Sequence, residues 1–240
     1  MTKRAMVMDL DRCTGCQSCI VACKFENNID LGNYWCDVAD MGPYGKHPDI
    51  SMYWLPFQCQ QCTNAPCVQV CPTGATYRDP DNNVVLVSKE DCIGCRMCAI
   101  ACPFSDPSGH KRPSARWFNE SEGVVEKCTL CNHLCAQSDG NENHDDALDP
   151  EHAVPACVHN CPTHCRHYGD LDDPNSDAAQ VLAQAKADGR PTYTLATDEA
   201  DAAFVYILSK DISEWHGMEG RVLQAPSEER FCAGLNWARA

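Results

Sequence analysis

The sequence predicts an α+β protein of short helices and strands joined by many irregular loops. The 240-residue chain contains 20 cysteines, and most of them fall into short runs separated by two to four residues. Hydrophobic residues make up 44% of the chain, which is typical of a globular protein. Because the strand and helix patterns are short and scattered, we expect the cysteine runs to organise the fold in place of a large hydrophobic core.

The secondary-structure signals are brief except for one segment. Residues 176–187 have the best helical pattern, with Asn175 or Ser176 as N-cap and Gly189 after the last turn. A Gly-, Pro- and aromatic-rich segment, 31–51, predicts a surface excursion, and the acidic segment 138–151 predicts a solvated loop. The remaining expected elements are strands at 5–10, 52–57, 84–87, 193–196 and 204–208, and helices at 18–26, 65–70 and 97–101.

Sixteen cysteines form four groups whose spacing is typical of bacterial ferredoxins. A loop with two residues between cysteines can wrap around three iron corners of a cubane cluster. Zinc ribbons use only paired knuckles, and disulfide scaffolds impose no such repeat, so both alternatives are disfavoured. The groups are Cys13, Cys16, Cys19 and Cys23; Cys59, Cys62, Cys67 and Cys71; Cys92, Cys95, Cys98 and Cys102; and the split set Cys128, Cys131, Cys157 and Cys161.

The fourth cysteine of each group begins a helix directed away from its own loop, so we expect it to ligate the neighbouring cluster. Crossing these ligands gives four [4Fe–4S] sites, numbered here 1 to 4. Site 1 is Cys13, Cys16, Cys19 and Cys161; site 2 is Cys23, Cys128, Cys131 and Cys157; site 3 is Cys59, Cys62, Cys67 and Cys102; site 4 is Cys71, Cys92, Cys95 and Cys98.

The crossed pairing predicts two interleaved two-cluster modules within one ferredoxin-like domain, residues 1–208. Sites 3 and 4 form an inner module, 52–104, enclosed in sequence by an outer module that carries sites 1 and 2 on residues 1–35 and 116–170. Residues 209–240 form a C-terminal extension that contains two tryptophans and a phenylalanine. We expect this extension to dock on a partner, since exposed aromatic residues favour burial.

Several other residues could take part in metal binding or docking. The four cysteines outside the sites are expected to be ordinary buried thiols. Histidines crowd the split group, where we expect them to tune a cluster by hydrogen bonding rather than to ligate it. A basic cluster predicts a solvated loop, with a docking patch as the alternative. These residues are Cys36, Cys135, Cys165 and Cys232; His133, His159, His164 and His167; and His110, Lys111, Arg112 and Arg116.

Three stretches beyond the cysteine spacing carry a family resemblance: QCTNAPC ending at Cys67, EKCTLC ending at Cys131, and GDLDDP beginning at Gly169. Over residues 5–208 the chain resembles the iron–sulfur electron-transfer subunit of the dimethyl-sulfoxide reductase family of molybdenum and tungsten oxidoreductases. It departs from the pattern at Lys24, which follows Cys23 in place of a proline, and at 132–156, which is long for the family.

The resemblance implies a wire of four clusters between a large molybdopterin-containing catalytic subunit and a membrane anchor subunit or soluble redox partner. It also implies that the outer module faces the catalytic subunit. A free-standing cytoplasmic polyferredoxin is the alternative electron carrier, and a zinc-stabilised scaffold is the alternative of another class. No nucleophile triad, phosphate-binding glycine loop or dinucleotide fingerprint occurs, so we expect no catalytic site in this chain.

Charge and hydropathy limit the partners. The net charge is −15, and four clusters would lower it to about −23, which disfavours nucleic acid and anionic lipid. No apolar run has the roughly 20 residues of a membrane helix, so we expect no membrane insertion. Because Cys13 leaves no room for a signal peptide, we expect assembly in the cytoplasm, followed by retention or by export of the folded chain with a partner that bears a twin-arginine signal.

Overall fold

The computed structural model describes residues 4–107, 112–135, 153–197, 200–209 and 236–239. Its strands are β1 (Arg4–Asp9), β2 (Cys36–Lys46), β3 (Asp49–Gln58), β4 (Thr76–Arg78), β5 (Val85–Val87), β6 (Arg116–Asn119), β7 (Val124–Lys127), β8 (Arg166–Asp170), β9 (Thr192–Thr197), β10 (Ala200–Asp201), β11 (Val205–Ile207) and β12 (Asn236–Arg239). Its helices are α1 (Ser18–Glu26), α2 (Pro66–Gln69), α3 (Met97–Ile100), α4 (Asn132–Cys135), α5 (Ala156–His159) and α6 (Asp177–Ala187).

A mixed sheet joins the two ends of the described chain. Its strand order is β10-β9-β11-β1-β8, and β12 also pairs with β9. The central strand β1 pairs in parallel with β11 and in antiparallel with β8, with Met8 opposite Arg166. A single 3₁₀ turn, Leu10–Arg12, then leads from β1 into the first cysteine loop at Cys13. The sheet therefore brings the first and last cysteine groups together although more than a hundred residues separate them.

The prediction of a surface excursion at 31–51 is wrong. Residues 36–58 instead form a long hairpin of β2 and β3 with a register shift between Met41 and Tyr44. Trp35, Cys36 and Met41 are buried, and the indole nitrogen of Trp35 donates a hydrogen bond of 3.2 Å to Glu126. Glycine and proline in this segment suggested a surface excursion, but the hairpin packs one of its ends against the cysteine-bearing segments, while residues 47–50 near its turn are exposed.

The other expected elements occur with small differences in length. Helix α1 covers the predicted residues, whereas α2 and α3 are shorter than predicted. The strand predicted at 52–57 is the second half of β3, and the predicted strand at 84–87 overlaps β5. The acidic segment 138–151, Cys232 and most of residues 209–240 lie outside the described residues. Across the described chain, no helix has both the length and the apolar character needed to cross a bilayer.

Helix α6 covers one face of the large sheet. Its buried Ala178 and Ala185 pack with Val7, Val205 and Ile207 of the sheet. The cap is Ser176, one of the two residues predicted for that role: its hydroxyl accepts a hydrogen bond of 3.2 Å from the backbone nitrogen of Ala179. The same hydroxyl donates at 2.6 Å to the carbonyl oxygen of Asp170, so the cap also fixes the helix to the end of β8.

We predict that Ser176→Ala lowers the free energy of unfolding by about 1 kcal/mol, the usual cost of losing an N-cap. The matched control is Asn175→Ala, because the Asn175 side chain is exposed and donates a hydrogen bond to Asp173 rather than to the helix. Urea denaturation followed by circular dichroism should separate the two variants. Equal midpoints for both would contradict the capping role.

Candidate metal centres

The cysteines of site 3 converge from two sequence groups. Burial raises the pKa of Cys62, and the thiols of Cys59, Cys102 and Cys67 raise it further. The same environment raises the pKa of Cys102 to about 12, chiefly through burial, with Cys59 and Cys67 adding to it. The structure thus surrounds Cys62 with the three partners that the crossed assignment gives it.

The cysteines of site 4 line one pocket, together with Thr73, Thr76 and Ile93. Cys71 enters this pocket from the second group, and its sulfur accepts a hydrogen bond of 3.3 Å from the backbone nitrogen of Thr76. Cys95 is exposed at the pocket mouth. Site 4 therefore opens to solvent, whereas the site 3 residues Cys59, Cys62 and Cys67 are buried. The four cysteines of the pocket are Cys71, Cys92, Cys95 and Cys98.

The cysteines predicted for site 2 gather around Cys23, in the second half of α1. Burial raises the pKa of Cys23, and Cys128, Cys157 and Cys131 each raise it further. Asn27 lies between two of these sulfurs, with its side-chain nitrogen 3.8 Å from Cys23 Sγ and 3.8 Å from Cys131 Sγ. The lysine that follows Cys23 in place of a proline does not prevent this approach, because Lys24 turns to donate to the carbonyl of Asn33.

Site 1 contains two thiols that the sequence did not place there. Cys165 hydrogen-bonds to Cys13, which lowers the pKa of Cys13 to about 7, and its backbone nitrogen donates to Cys161 Sγ at 3.3 Å. Cys36 hydrogen-bonds to Cys19 and lowers the pKa of Cys19 to about 5. These two cysteines are buried as expected, but they also lie directly against predicted ligands.

Cysteines of the predicted sites 2 and 3 lie near each other. Burial raises the pKa of Cys128, and the Cys59 thiol is among the neighbours that raise it further. Gln61 joins these two sites, since its side chain donates to the carbonyl of Cys128 at 3.1 Å and accepts from the backbone nitrogen of Val85 at 2.8 Å. The ammonium group of buried Lys127 donates hydrogen bonds to the backbone carbonyl oxygens of Val85 and Cys128.

The solvated loop predicted for the basic cluster is wrong at Arg116. It is fully buried at 0% exposure rather than part of a solvated loop. Arg112 is paired with Asp37 and stacks over the Tyr34 ring at 4.1 Å, and His110 and Lys111 lie outside the described residues. The local sequence could not reveal this burial, because strand β6 is placed between the cysteine groups only by the tertiary fold.

A cluster fits these residues by charge and by donor chemistry. The Nε and Nη2 atoms of buried Arg116 have no hydrogen-bond partner among the described residues, while thiols of Cys67, Cys98 and Cys102 hold its pKa high against the opposing effect of burial. Thiolates and cluster sulfides would supply the missing acceptors. No three His, Cys, Asp or Glu side chains in the described ranges are gathered closely enough for a single metal ion, whereas a cubane holds its four thiolates farther apart.

Buried thiols also link cluster insertion to protonation. Burial raises the pKa of Cys157 to about 12 and raises that of Cys128 still more. Such thiols hold their protons near neutral pH, and only the thiolate ligates iron. Iron binding by these thiols would therefore release protons, as in other thiolate metal sites.

Comparison with known proteins agrees with the cysteine geometry. Residues 50–171 match the 4Fe-4S dicluster domain, and residues 4–25 match a 4Fe-4S binding domain. These matches overturn the alternative of a zinc-stabilised scaffold.

Similar proteins include electron-transfer and iron–sulfur subunits from several organisms. A protein of Halobacterium salinarum, provisionally named as the iron–sulfur component of a dimethyl sulfoxide reductase, is 34% identical over 95% of this chain and 87% of its own length. The arsenate respiratory reductase iron–sulfur subunit ArrB of Shewanella sp. strain ANA-3 is 35% identical over 74% of this chain and 86% of its own. The thiosulfate reductase electron transfer subunit PhsB of Salmonella typhi is 38% identical over 70% and 76%.

We predict that Gly94→Ala destabilises the site 4 loop more than Gly74→Ala does. Both glycines have positive φ, +67° and +73°, so each substitution carries a backbone cost of about 1–2 kcal/mol. A Cβ on Gly94 would also lie 2.3 Å from the carbonyl oxygen of Gly123, whereas one on Gly74 meets open space. The readout is the urea concentration at which each variant loses half of its visible absorption, and equal values would contradict the close approach.

Proposed function

The chain belongs to the 4Fe-4S dicluster family of iron–sulfur electron-transfer subunits that serve molybdenum enzymes, and we propose that it conducts electrons through four [4Fe–4S] clusters. One end of this path would meet a molybdopterin-containing catalytic subunit, and the other a second redox partner. When bound, each cluster supplies one-electron redox chemistry. The observation that carries the proposal is the convergence of cysteines from separate sequence groups on shared sites.

The subunit role rests on the relatives. They are iron–sulfur or electron-transfer subunits of reductases, so this chain is a non-catalytic subunit of an oxidoreductase complex. The same relatives disfavour a free-standing polyferredoxin. Their named substrates differ, which is consistent with substrate choice lying in the catalytic partner.

We assign the ligands as the crossed sets of sites 1 to 4. Support comes from the neighbours of Cys62, the neighbours of Cys23, and the pocket that the four site 4 cysteines share. For site 1, Cys165 lies beside both Cys13 and Cys161, which bridges the first and last sequence groups.

The proposed path runs from site 1 through sites 2 and 3 to site 4. Arg166 contacts Cys19 of site 1 and Cys157 of site 2, at 3.4 Å and 3.7 Å. The neighbouring thiols of Cys128 and Cys59 link site 2 to site 3. Arg116 lies against thiols of both site 3 and site 4.

The two ends of this path are exposed and flanked by apolar side chains. Near the site 1 end, Cys16 is exposed, and helix α1, which carries Cys19 of site 1 and Cys23 of site 2, presents Val21 and Phe25, the latter 85% exposed. At the site 4 end, Cys95 is exposed and shares a pocket with Ile93, and helix α3 presents the exposed Ile100. We assign the catalytic subunit to the site 1 end, in keeping with the family arrangement, and a membrane anchor subunit or soluble redox partner to the site 4 end.

We predict that Phe25→Asp abolishes co-purification with the catalytic subunit, because a charge replaces an apolar contact at that interface. The matched variant Ile100→Asp should retain the catalytic subunit while slowing electron exchange with the second partner. Both side chains are exposed, so neither change should affect folding. Loss of the catalytic subunit from Ile100→Asp alone would reverse the assigned orientation.

We predict about sixteen irons per chain in the isolated complex, as four cubane clusters require. Cys131→Ala should lower this value, whereas Cys135→Ala, four residues later in the same segment, should leave it unchanged because Cys135 belongs to no assigned site. Iron and acid-labile sulfide analysis gives both numbers. An iron loss of equal size in both variants would disprove the site 2 assignment.

A further inference from the structure

Two arginines are buried between cysteines without a carboxylate partner. Arg116 is 0% exposed and Arg166 is 3% exposed. Within the described ranges, neither forms an ion pair with an aspartate or a glutamate, although both signs of charge are paired elsewhere in the fold, as in the bridge from Arg190 to Asp9. A buried cation without a counter-charge is strongly unfavourable. The missing negative charge must therefore come from a group that these arginines face.

Arg166 reaches its cysteines from the first residue of β8. Its guanidinium donates toward Cys19 Sγ at 3.4 Å, Cys36 Sγ at 3.2 Å and Cys157 Sγ at 3.7 Å. A further hydrogen bond of 3.2 Å goes to the side-chain oxygen of Gln58. Neutral thiols are weak acceptors, whereas thiolates bound to iron carry negative charge. The arrangement therefore suits two anionic clusters, one on either side of the guanidinium.

Arg116 has the corresponding position in the inner module but reaches it from a different strand. Among the described residues, its guanidinium hydrogen-bonds only to Thr76 Oγ1, at 3.5 Å, and two of its nitrogens have no partner there. Burial lowers the pKa of Arg116, but nearby thiols raise it. These thiols belong to site 3 (Cys59, Cys67 and Cys102) and to site 4 (Cys98).

Each module places an arginine near its paired sites, but the two arginines come from different positions in the sequence pattern. Arg166 lies five residues after Cys161, and Thr76 lies five residues after Cys71. In the inner module this position holds the threonine, and Arg116 extends from β6 to hydrogen-bond with it. A buried cation thus lies near thiols of both paired sites in each module, although the two side chains are not sequence equivalents. Repetition of the sequence pattern does not account for that; a shared electrostatic requirement does.

We propose that Arg166 and Arg116 set the reduction potentials of the clusters, each by holding a fixed positive charge between the two sites of its module. This inference rests on the proposed four-cluster function. Each electron that enters a site adds one negative charge. A guanidinium, always protonated, lowers the energy of both reduced sites and weakens their mutual repulsion.

The test is an anaerobic redox titration of the purified complex, followed by electron paramagnetic resonance. Arg166→Met should lower the potentials of sites 1 and 2 by at least the 59 mV that corresponds to a tenfold change in a one-electron equilibrium. The reduction potentials of sites 3 and 4 should change by only a small fraction of that shift. Arg116→Met should give the reverse pattern, so each variant is the other's control.

Conservative variants separate charge from packing. Arg166→Lys keeps the charge and should recover most of the potential, whereas Arg166→Gln keeps hydrogen-bond donors without the charge and should behave like Arg166→Met. Potentials that stay unmoved in Met and Gln variants with full iron content would overturn the proposal. So would loss of clusters from the Lys variant, because the arginine would then be required for packing.

Iron and sulfide in the wild-type complex keep the two claims distinct. A wild-type complex without about sixteen irons would refute the four-cluster function itself. A fully loaded wild type with unshifted arginine variants would refute only the role of the arginines.

Discussion

The proposed ligation places one geometric constraint on the fold: the last cysteine of each group points away from its own loop and ligates a neighbouring cluster. Every group therefore has to lie beside a second one. For the groups ending at Cys71 and Cys102 the partner is close in sequence. For those ending at Cys23 and Cys161 it is more than a hundred residues away, and the pairing of β1 with β8 brings them together. The large sheet thus holds the first and last cysteine groups side by side.

The distribution of charged side chains places a second constraint on the protein interior. The chain is acidic overall, with a net charge of −15, yet the spaces between its cysteine sites contain buried cations. In the proposed assignment, Arg166 lies between sites 1 and 2, Lys127 beside Cys128 of site 2, and Arg116 near thiols of sites 3 and 4. Acidic residues near the sites instead bind cations at the periphery, as Asp9 and Asp11 do with Arg190. The interior is therefore built to receive anionic groups.

The sequence predicts much of this arrangement because cysteine spacing is a local signal. The loops, helix α1 and the Ser176 cap can all be read within a few residues. The burial of Arg116 and the hairpin at 36–58 could not, since both follow from contacts between distant segments. The roles of Cys36 and Cys165 were missed for the same reason: each is isolated in sequence, and only the fold places it against Cys19 or Cys13. The one sequence signal for Cys165 was its position four residues after the predicted ligand Cys161.

The crossed ligation itself can be tested by asking which cluster loses a ligand when Cys161 is changed. Potentiometric titrations with paramagnetic resonance would compare Cys161→Ser with Cys16→Ser and Cys157→Ser. If ligands cross between the first and last groups, Cys161→Ser alters the same cluster signal as Cys16→Ser and leaves that of Cys157→Ser unchanged. If Cys161→Ser and Cys157→Ser alter one common signal, the modules are not interleaved and the account is wrong.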